Sequence, residues 1–252
     1  MDRPGRLDVR GLRVLRSGRE VSCGISLHVD PGEFVALLGR NGAGKSTLLL
    51  AMSGVLPVKA GVVSLGDSPI TGIGPDRIRR AGVALVPEGH RVLEALDVRD
   101  NPRAAGSFLA KGALAARIDF SLGVLPELRR LWRLPAGTLS GGQKQMVAVA
   151  QALVADPSYL LIDELSLGLA PLITRRLAEV LSDLARSGIG ILLVEQFTTL
   201  ALSLASRAYI LNRGCLAFDG PCHMLCEQPE LLHRAYLSDE TQPVGLTSDT
   251  GC

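Results

Sequence analysis

The run Gly39, Arg40, Asn41, Gly42, Ala43, Gly44, Lys45, Ser46 has the spacing G-x-x-x-x-G-K-[ST], and Thr47 follows it. Each residue type has a task at its place. The glycines let backbone N–H groups close on phosphate oxygens, and a helix starting at the end of the run adds its positive end. Lys45 reaches the β- and γ-phosphates, and the Ser46 hydroxyl can ligate Mg²⁺. The candidate phosphate-binding residues are therefore Gly39, Asn41, Gly42, Ala43, Gly44, Lys45, Ser46 and Thr47. A glycine-rich turn between a strand and a helix is the alternative, and a lysine and a serine both in register speak against it.

A second element supplies carboxylates. Asp163 and Glu164 close the apolar run Tyr159 to Ile162, at the C-terminal end of an expected buried strand. Open α/β sheets bind their ligands at that edge. Asp163 would hold Mg²⁺ through water, and Glu164 would orient or deprotonate the water that attacks the γ-phosphate, because phosphoryl transfer is mostly positioning and charge stabilisation. Alone, an acidic pair after a strand could equally cap a helix. The phosphate loop upstream favours the chemical role.

The elements that must position these groups follow from periodicity. Val21 to Val29 alternates apolar and polar residues, which predicts a half-buried strand. Glu33 to Leu38, Tyr159 to Ile162 and Ile189 to Val194 are short continuous apolar runs, as expected of parallel strands covered on both faces. Helical patterns lie between them at Ser46 to Met52, Ser140 to Val154 and Leu172 to Leu184, the last with Pro171 before it and Gly188 after it. Alternation of this kind predicts an α/β fold with a mainly parallel sheet. The stretch from about Asn101 to Leu139 reads as a helical insertion. After Thr198 come a helix, two short strands at Arg207 to Leu211 and Cys215 to Phe218, and helices ending near Leu237. The polar stretch 238–252 is expected to be a disordered tail.

Composition narrows the function. The 252 residues suffice for one large domain, and 47% apolar with 21% charged residues is ordinary globular usage. Lys plus Arg total 27 against 25 for Asp plus Glu, a balance that by itself gives no support to nucleic-acid binding, which needs a concentrated basic face. Its apolar windows fall short of the roughly 18 residues of a spanning helix, and no secretory signal opens the chain. Five cysteines, an odd number, argue against a disulfide framework and fit a reducing compartment.

Leu139, Ser140, Gly141, Gly142 and Gln143 read LSGGQ, and with this run the chain resembles the ATP-binding subunits of ABC transporters over about Leu7 to Leu237. The resemblance implies an α/β phosphate-loop NTPase with N-terminal antiparallel strands. It also implies one domain over 1–237, with a helical subdomain at about 90–155. The implied cofactors are ATP and Mg²⁺. A second ABC ATPase subunit, a copy or a paralogue, would pack head to tail so that Ser140, Gly141, Gly142 and Gln143 close over the partner's γ-phosphate. Without the family, Ser140 is simply the cap of the following helix. Three further runs, Asp163 to Pro171, Val86 to Gly89 and Leu193 to Gln196, look like the subgroup that serves branched-chain amino acid uptake. The implied protein is an ATPase at the cytoplasmic face of the cell membrane. It would energise separate integral membrane permease subunits, contact neither nucleic acid nor the transported solute, and meet the permease on the surface that begins at Glu88. A soluble ABC ATPase acting on ribosomes or DNA, or a weakly active regulatory subunit, is the alternative.

The chain departs from the family pattern at several positions. Glu88, a candidate magnesium-site residue with Ser46 and Asp163, stands where most members have glutamine, and Gln196 stands where most have histidine. With Lys45 and Glu164, Gln196 completes the candidate catalytic set; its amide can donate a hydrogen bond without charge. Leu165 replaces a proline and Ala170 an aspartate. Arg16 takes the place of a ring on which adenine stacks, and its guanidinium plane can stack in turn, or stand solvated at the surface. Cys222, His223 and Cys226 lack the second distant pair of a zinc site and read as helix composition.

Overall fold

The computed structural model describes residues 5–16 and 18–237, so the expected tail at 238–252 lies outside the described residues. The chain opens with β1 (Leu7–Arg16), β2 (Arg19–Glu20), β3 (Ile25–Val29), β4 (Phe34–Leu38) and α1 (Lys45–Met52). It continues through β5 (Val58–Leu65), β6 (Ser68–Pro69), α2 (Pro75–Arg80) and β7 (Val83–Val86). Three helices follow, α3 (Asp100–Ala105), α4 (Lys111–Val124) and α5 (Leu128–Leu131), and then α6 (Gly141–Leu153). The remainder is β8 (Tyr159–Asp163), α7 (Pro171–Arg186), β9 (Gly190–Val194), α8 (Thr198–Leu204), β10 (Arg207–Asn212), β11 (Cys215–Pro221), α9 (Cys222–Glu227) and α10 (Pro229–Leu237).

Six strands form one sheet in the order β11-β10-β4-β9-β8-β7, parallel except for the antiparallel edge β11. Its central strands are buried at every position because both faces are covered. Ala36, Leu38, Leu160 and Ile162 pack with α6 and α7, while Val35, Leu37, Leu161 and Leu192 pack with α1 and the antiparallel sheet. That second sheet joins β2, β1, β5 and β6, with β3 paired to β1.

The ends of the expected strands differ in one place. Val21 to Gly24 is not strand: β3 starts only at Ile25. Gly24 has φ 89, and the Cys23 N–H donates to the Gly214 carbonyl at 3.0 Å, so the segment turns onto the β10–β11 turn, while Val21 and Ser22 stay bonded to β1 through the Val14 carbonyl and N–H. The structure also pairs Cys23 with Cys215, Cα atoms 5.5 Å apart, a single pair and not the disulfide framework that the cysteine count argues against. An odd total does not bear on one pair that the fold brings within bonding reach. On α9, Cys222 is buried and Cys226 exposed, so the two thiols face opposite environments.

At the far end of the sheet from the loops of interest, Arg207 holds Glu33 through two hydrogen bonds of 2.8 and 2.9 Å, donates to the His28 carbonyl and to the Tyr209 hydroxyl, and sits beside Asp219. The Tyr209 hydroxyl accepts the His28 N–H at 3.1 Å. This bidentate ion pair ties β3 to β4 and β10.

Candidate functional site

The C-terminal ends of β4, β7, β8, β9 and β10 point to one edge of the sheet, and the expected site residues gather there. After Leu38 the loop turns off the sheet at Gly39, where a Cβ would lie 2.2 Å from the Leu211 carbonyl oxygen. Gly44, the N-cap of α1, has φ 104, and no side chain caps this helix. The first N–H groups of α1 therefore have neither an intrahelical acceptor nor a capping side chain. Beside them opens a cleft of about 490 Å³ lined by Asn41, Gly42, Gly44, Lys45, Ser46 and Thr47, and on its other sides by Arg16, Val21, Glu88, Glu164, Leu167 and Gln196. Uncapped helix donors and a lysine are groups that can hold an anion. Gly39 and Ala43 belong to the loop and not to the cleft lining; the Ala43 carbonyl accepts the Gly214 N–H at 3.0 Å, which braces the loop on the β10–β11 turn.

Lys45 is 5% exposed, and its Nζ donates to the carbonyls of Gly39 at 2.8 Å and Arg40 at 3.3 Å. Burial lowers its pKa, while Glu164 and Asp163 act in the opposite direction. Asp163 ends β8, and its Oδ1 accepts a hydrogen bond from the Ser46 hydroxyl at 3.1 Å. Burial raises the Asp163 pKa, and the Ser46 bond counters this. Hard oxygen donors from Ser46 and Asp163 thus meet beside the cleft wall carrying Glu88, a donor set that suits Mg²⁺.

Glu164 is buried in the left-handed region, φ 53, a conformation that costs a non-glycine residue on the order of 1–3 kcal/mol and is typical of functional sites. Burial, then the neighbouring Glu195 carboxylate, push its pKa to about 7. Its Oε2 accepts the Gln196 N–H at 3.3 Å. The pair Asp163–Glu164 caps no helix, since α7 starts at Pro171 with Ala170 as its N-cap. Leu165, in the place of a proline, is fully buried in the core.

Arg16 ends β1 on the cleft wall with Val21, and its guanidinium donates to the Thr47 hydroxyl at 3.3 Å. Ser140 caps α6 as the sequence suggests. The Gln143 N–H donates to the Ser140 Oγ, and the Gln143 Oε1 accepts the Ser140 N–H at 3.0 Å. None of Ser140, Gly141, Gly142 and Gln143 lines the cleft. Gly142 faces α7 instead, where a Cβ would lie 2.7 Å from the Ile173 side chain. Sequence reasoning missed Val21 and Leu167 on the lining and Glu195 behind it. An acid directly after an apolar strand, beside Gln196, was the available signal for Glu195.

A phosphate loop after a central parallel strand, with two acids at the end of a nearby strand, defines a nucleoside-triphosphate-binding ATPase of the P-loop class. Comparison with known proteins narrows this class. The ABC transporter family profile matches residues 23–166. The chain is 39% identical over 213 residues to the high-affinity branched-chain amino acid transport ATP-binding protein BraG of Pseudomonas aeruginosa, covering 84% of this chain and 91% of that protein. It is 36% identical over 207 residues, 81% and 86% of the two chains, to the probable branched-chain amino acid transport ATP-binding protein LivF of Archaeoglobus fulgidus. Over 237 residues, 93% and 98% of the two chains, it is 31% identical to the lipopolysaccharide export system ATP-binding protein LptB of Escherichia coli K12. A solved ATP-binding subunit of an ABC transporter superposes with TM-score 0.79 at 29% identity, covering 92% of this chain and 98% of that one. The chain belongs to the ABC transporter family: it is an ABC-type ATPase, the ATP-binding subunit of a transporter.

Proposed function

We propose that this subunit energises a separate membrane permease that imports branched-chain or related amino acids. The similarity to BraG and LivF, across more than four fifths of the chain, is the observation that carries this reading. LptB is similar over a longer stretch at lower identity, and lipopolysaccharide export is the second reading. In either case the cleft residues have the same work. The α1 N–H groups and Lys45 bind the ATP phosphates, Glu164 orients or deprotonates the attacking water, and the Gln196 amide donates to the γ-phosphate. Ser46, Asp163 and Glu88 would hold Mg²⁺, which when bound neutralises charge on the phosphates. Ser140 to Gln143 stand outside their own chain's cleft, which fits a role at the cleft of a second subunit, self or paralogue. The subunit would be peripheral and meet its permease at the cytoplasmic face; no helix among the described residues is long and apolar enough to cross a membrane.

Uptake of radiolabelled leucine by cells lacking this gene tests the proposal. Loss of uptake, restored by the wild-type gene and not by Lys45→Ala, supports it. Unchanged uptake of leucine, isoleucine and valine in the deletion strain sinks the amino-acid assignment.

A further inference from the structure

Glu195 follows the last residue of β9 and is 0% exposed. A carboxylate cut off from water is unstable unless hydrogen bonds surround it. Here the donors are backbone N–H groups of two different turns. Oε1 accepts the Ser166 N–H at 2.9 Å, and Oε2 accepts the N–H groups of Gln196 at 3.2 Å and Phe197 at 3.4 Å. The Gln196 N–H is shared, because Glu164 Oε2 also lies 3.3 Å from it. The successive amides of Gln196 and Phe197 hold one carboxylate oxygen and the Ser166 amide, from the β8 turn, holds the other, so the protein's own side chain joins the two turns.

These bonds lie past the point where the sheet needs them. The β8–β9 ladder ends at Asp163 opposite Val194, so strand register is already set before Glu195 begins. What Glu195 adds is a clamp on the turns that carry Glu164 and Gln196. On one side of Glu164 its own N–H donates to the Val194 carbonyl at 3.0 Å; on the other, the Ser166 N–H donates to Glu195. A non-glycine residue persists at φ 53 only where its surroundings over-determine it, and these two anchors do so. The Glu195 N–H also reaches the Leu37 carbonyl, on the strand that feeds the phosphate loop, at 3.4 Å. Glu164 and Gln196 line the cleft and Glu195 does not.

We propose that Glu195 is a positioning residue for phosphoryl transfer: its buried carboxylate sets Glu164 and Gln196 relative to each other and never touches nucleotide. This rests on the reading of Glu164 and Gln196 given above. A displacement of about 1 Å at a reacting group can cost about 10²-fold in rate while leaving binding intact. A residue that merely stabilised the fold would leave turnover of the folded protein unchanged well below its melting temperature.

The test uses the full-length protein and measures kcat and, separately, ATP affinity by fluorescence titration, for Glu195→Ala, Glu195→Gln, Gln196→Ala, the Glu195→Ala/Gln196→Ala pair and Glu164→Gln. We expect Glu195→Ala to lower kcat about 10- to 100-fold with ATP affinity within about threefold of wild type. Glu195→Gln keeps one oxygen for Ser166 but turns its amide donors on Gln196 and Phe197, so it should fall between wild type and alanine. It keeps the volume of glutamate and carries the test should the alanine variant fail to fold. The double variant should lose less than the product of the two single losses, because Glu195 acts partly through Gln196. Wild-type kcat in folded Glu195→Gln, or equal losses in kcat and ATP affinity, or strictly multiplicative losses in the double variant, overturns the proposal. Glu164→Gln separates the two failures. If it hydrolyses ATP normally, the catalytic reading falls and this proposal with it; if it is inactive while the Glu195 variants turn over normally, only the role of Glu195 falls.

Discussion

Lys45 Nζ is bonded to the Gly39 carbonyl at 2.8 Å, so the lysine of the phosphate loop closes the loop on itself. With the buried Glu164, Asp163 and Glu195 and the exposed Glu88 all acting on it, this ammonium also offsets a concentration of acids. Phosphate oxygens would take over from the carbonyls when ATP enters, an exchange of like hydrogen bonds that leaves no donor orphaned. Lys45→Ala should therefore weaken ATP by about 10²-fold, the worth of a charge-assisted contact to phosphate. A fluorescence titration with affinity within threefold of wild type would refute the assignment.

Glu164 yields a prediction whose sign depends on pH. Its carboxyl is held at about 7 in the folded protein against a reference near 4.5, so between those values the native state keeps a proton that the unfolded chain has lost. Stability is therefore lost as pH rises through that window, and the cost is fully present above it. Glu164→Gln, neutral at every pH, should raise the Tm of nucleotide-free protein at pH 8 by roughly 5–10 °C, corresponding to on the order of 2–3 kcal/mol, and change it little near pH 4.5. Thermal scans at both pH values check this. The same Tm increment at each pH would mean that the carboxyl titrates normally.

Arg16 donates to Thr47 from the wall of the cleft, and its proposed role is to stack on adenine. Arg16→Ala should weaken ATP about fivefold, near 1 kcal/mol, and Arg16→Tyr should restore it. Equal affinity in all three proteins would assign Arg16 to the solvated surface.

His28 gives a second pH effect with a different cause. Burial, then Arg207 and Arg6, lower its pKa, against weaker opposition from Asp30 and Glu33. As pH falls through the ordinary histidine range the unfolded chain gains a proton that native His28 refuses, so the native state loses stability on acidification until His28 itself is protonated. His28→Gln should flatten the Tm profile between pH 7 and pH 5.5. Parallel profiles for variant and wild type would count against it.

Much of the site was legible in the sequence because its logic is local. The Gly39 to Ser46 spacing, the acids closing a buried strand and the Ser140 cap with Gln143 three residues on each depend on backbone geometry within a few residues, and each stands where periodicity put it. The continuous apolar runs of β4, β8 and β9 likewise announce a sheet covered on both faces. Contacts between distant segments are what tertiary structure decided. Val21 to Gly24 alternates like a strand, yet it follows the Gly214 turn about 190 residues away, the separation that also brings Cys23 to Cys215. Leu165 departs from the family pattern in sequence and proves to be core. Glu195 looks like the polar end of a strand, and only the meeting of the β8 and β9 turns surrounds its carboxylate with amides. Alternation records what a strand could bury; which groups it meets is set by the packing of segments that no local window contains.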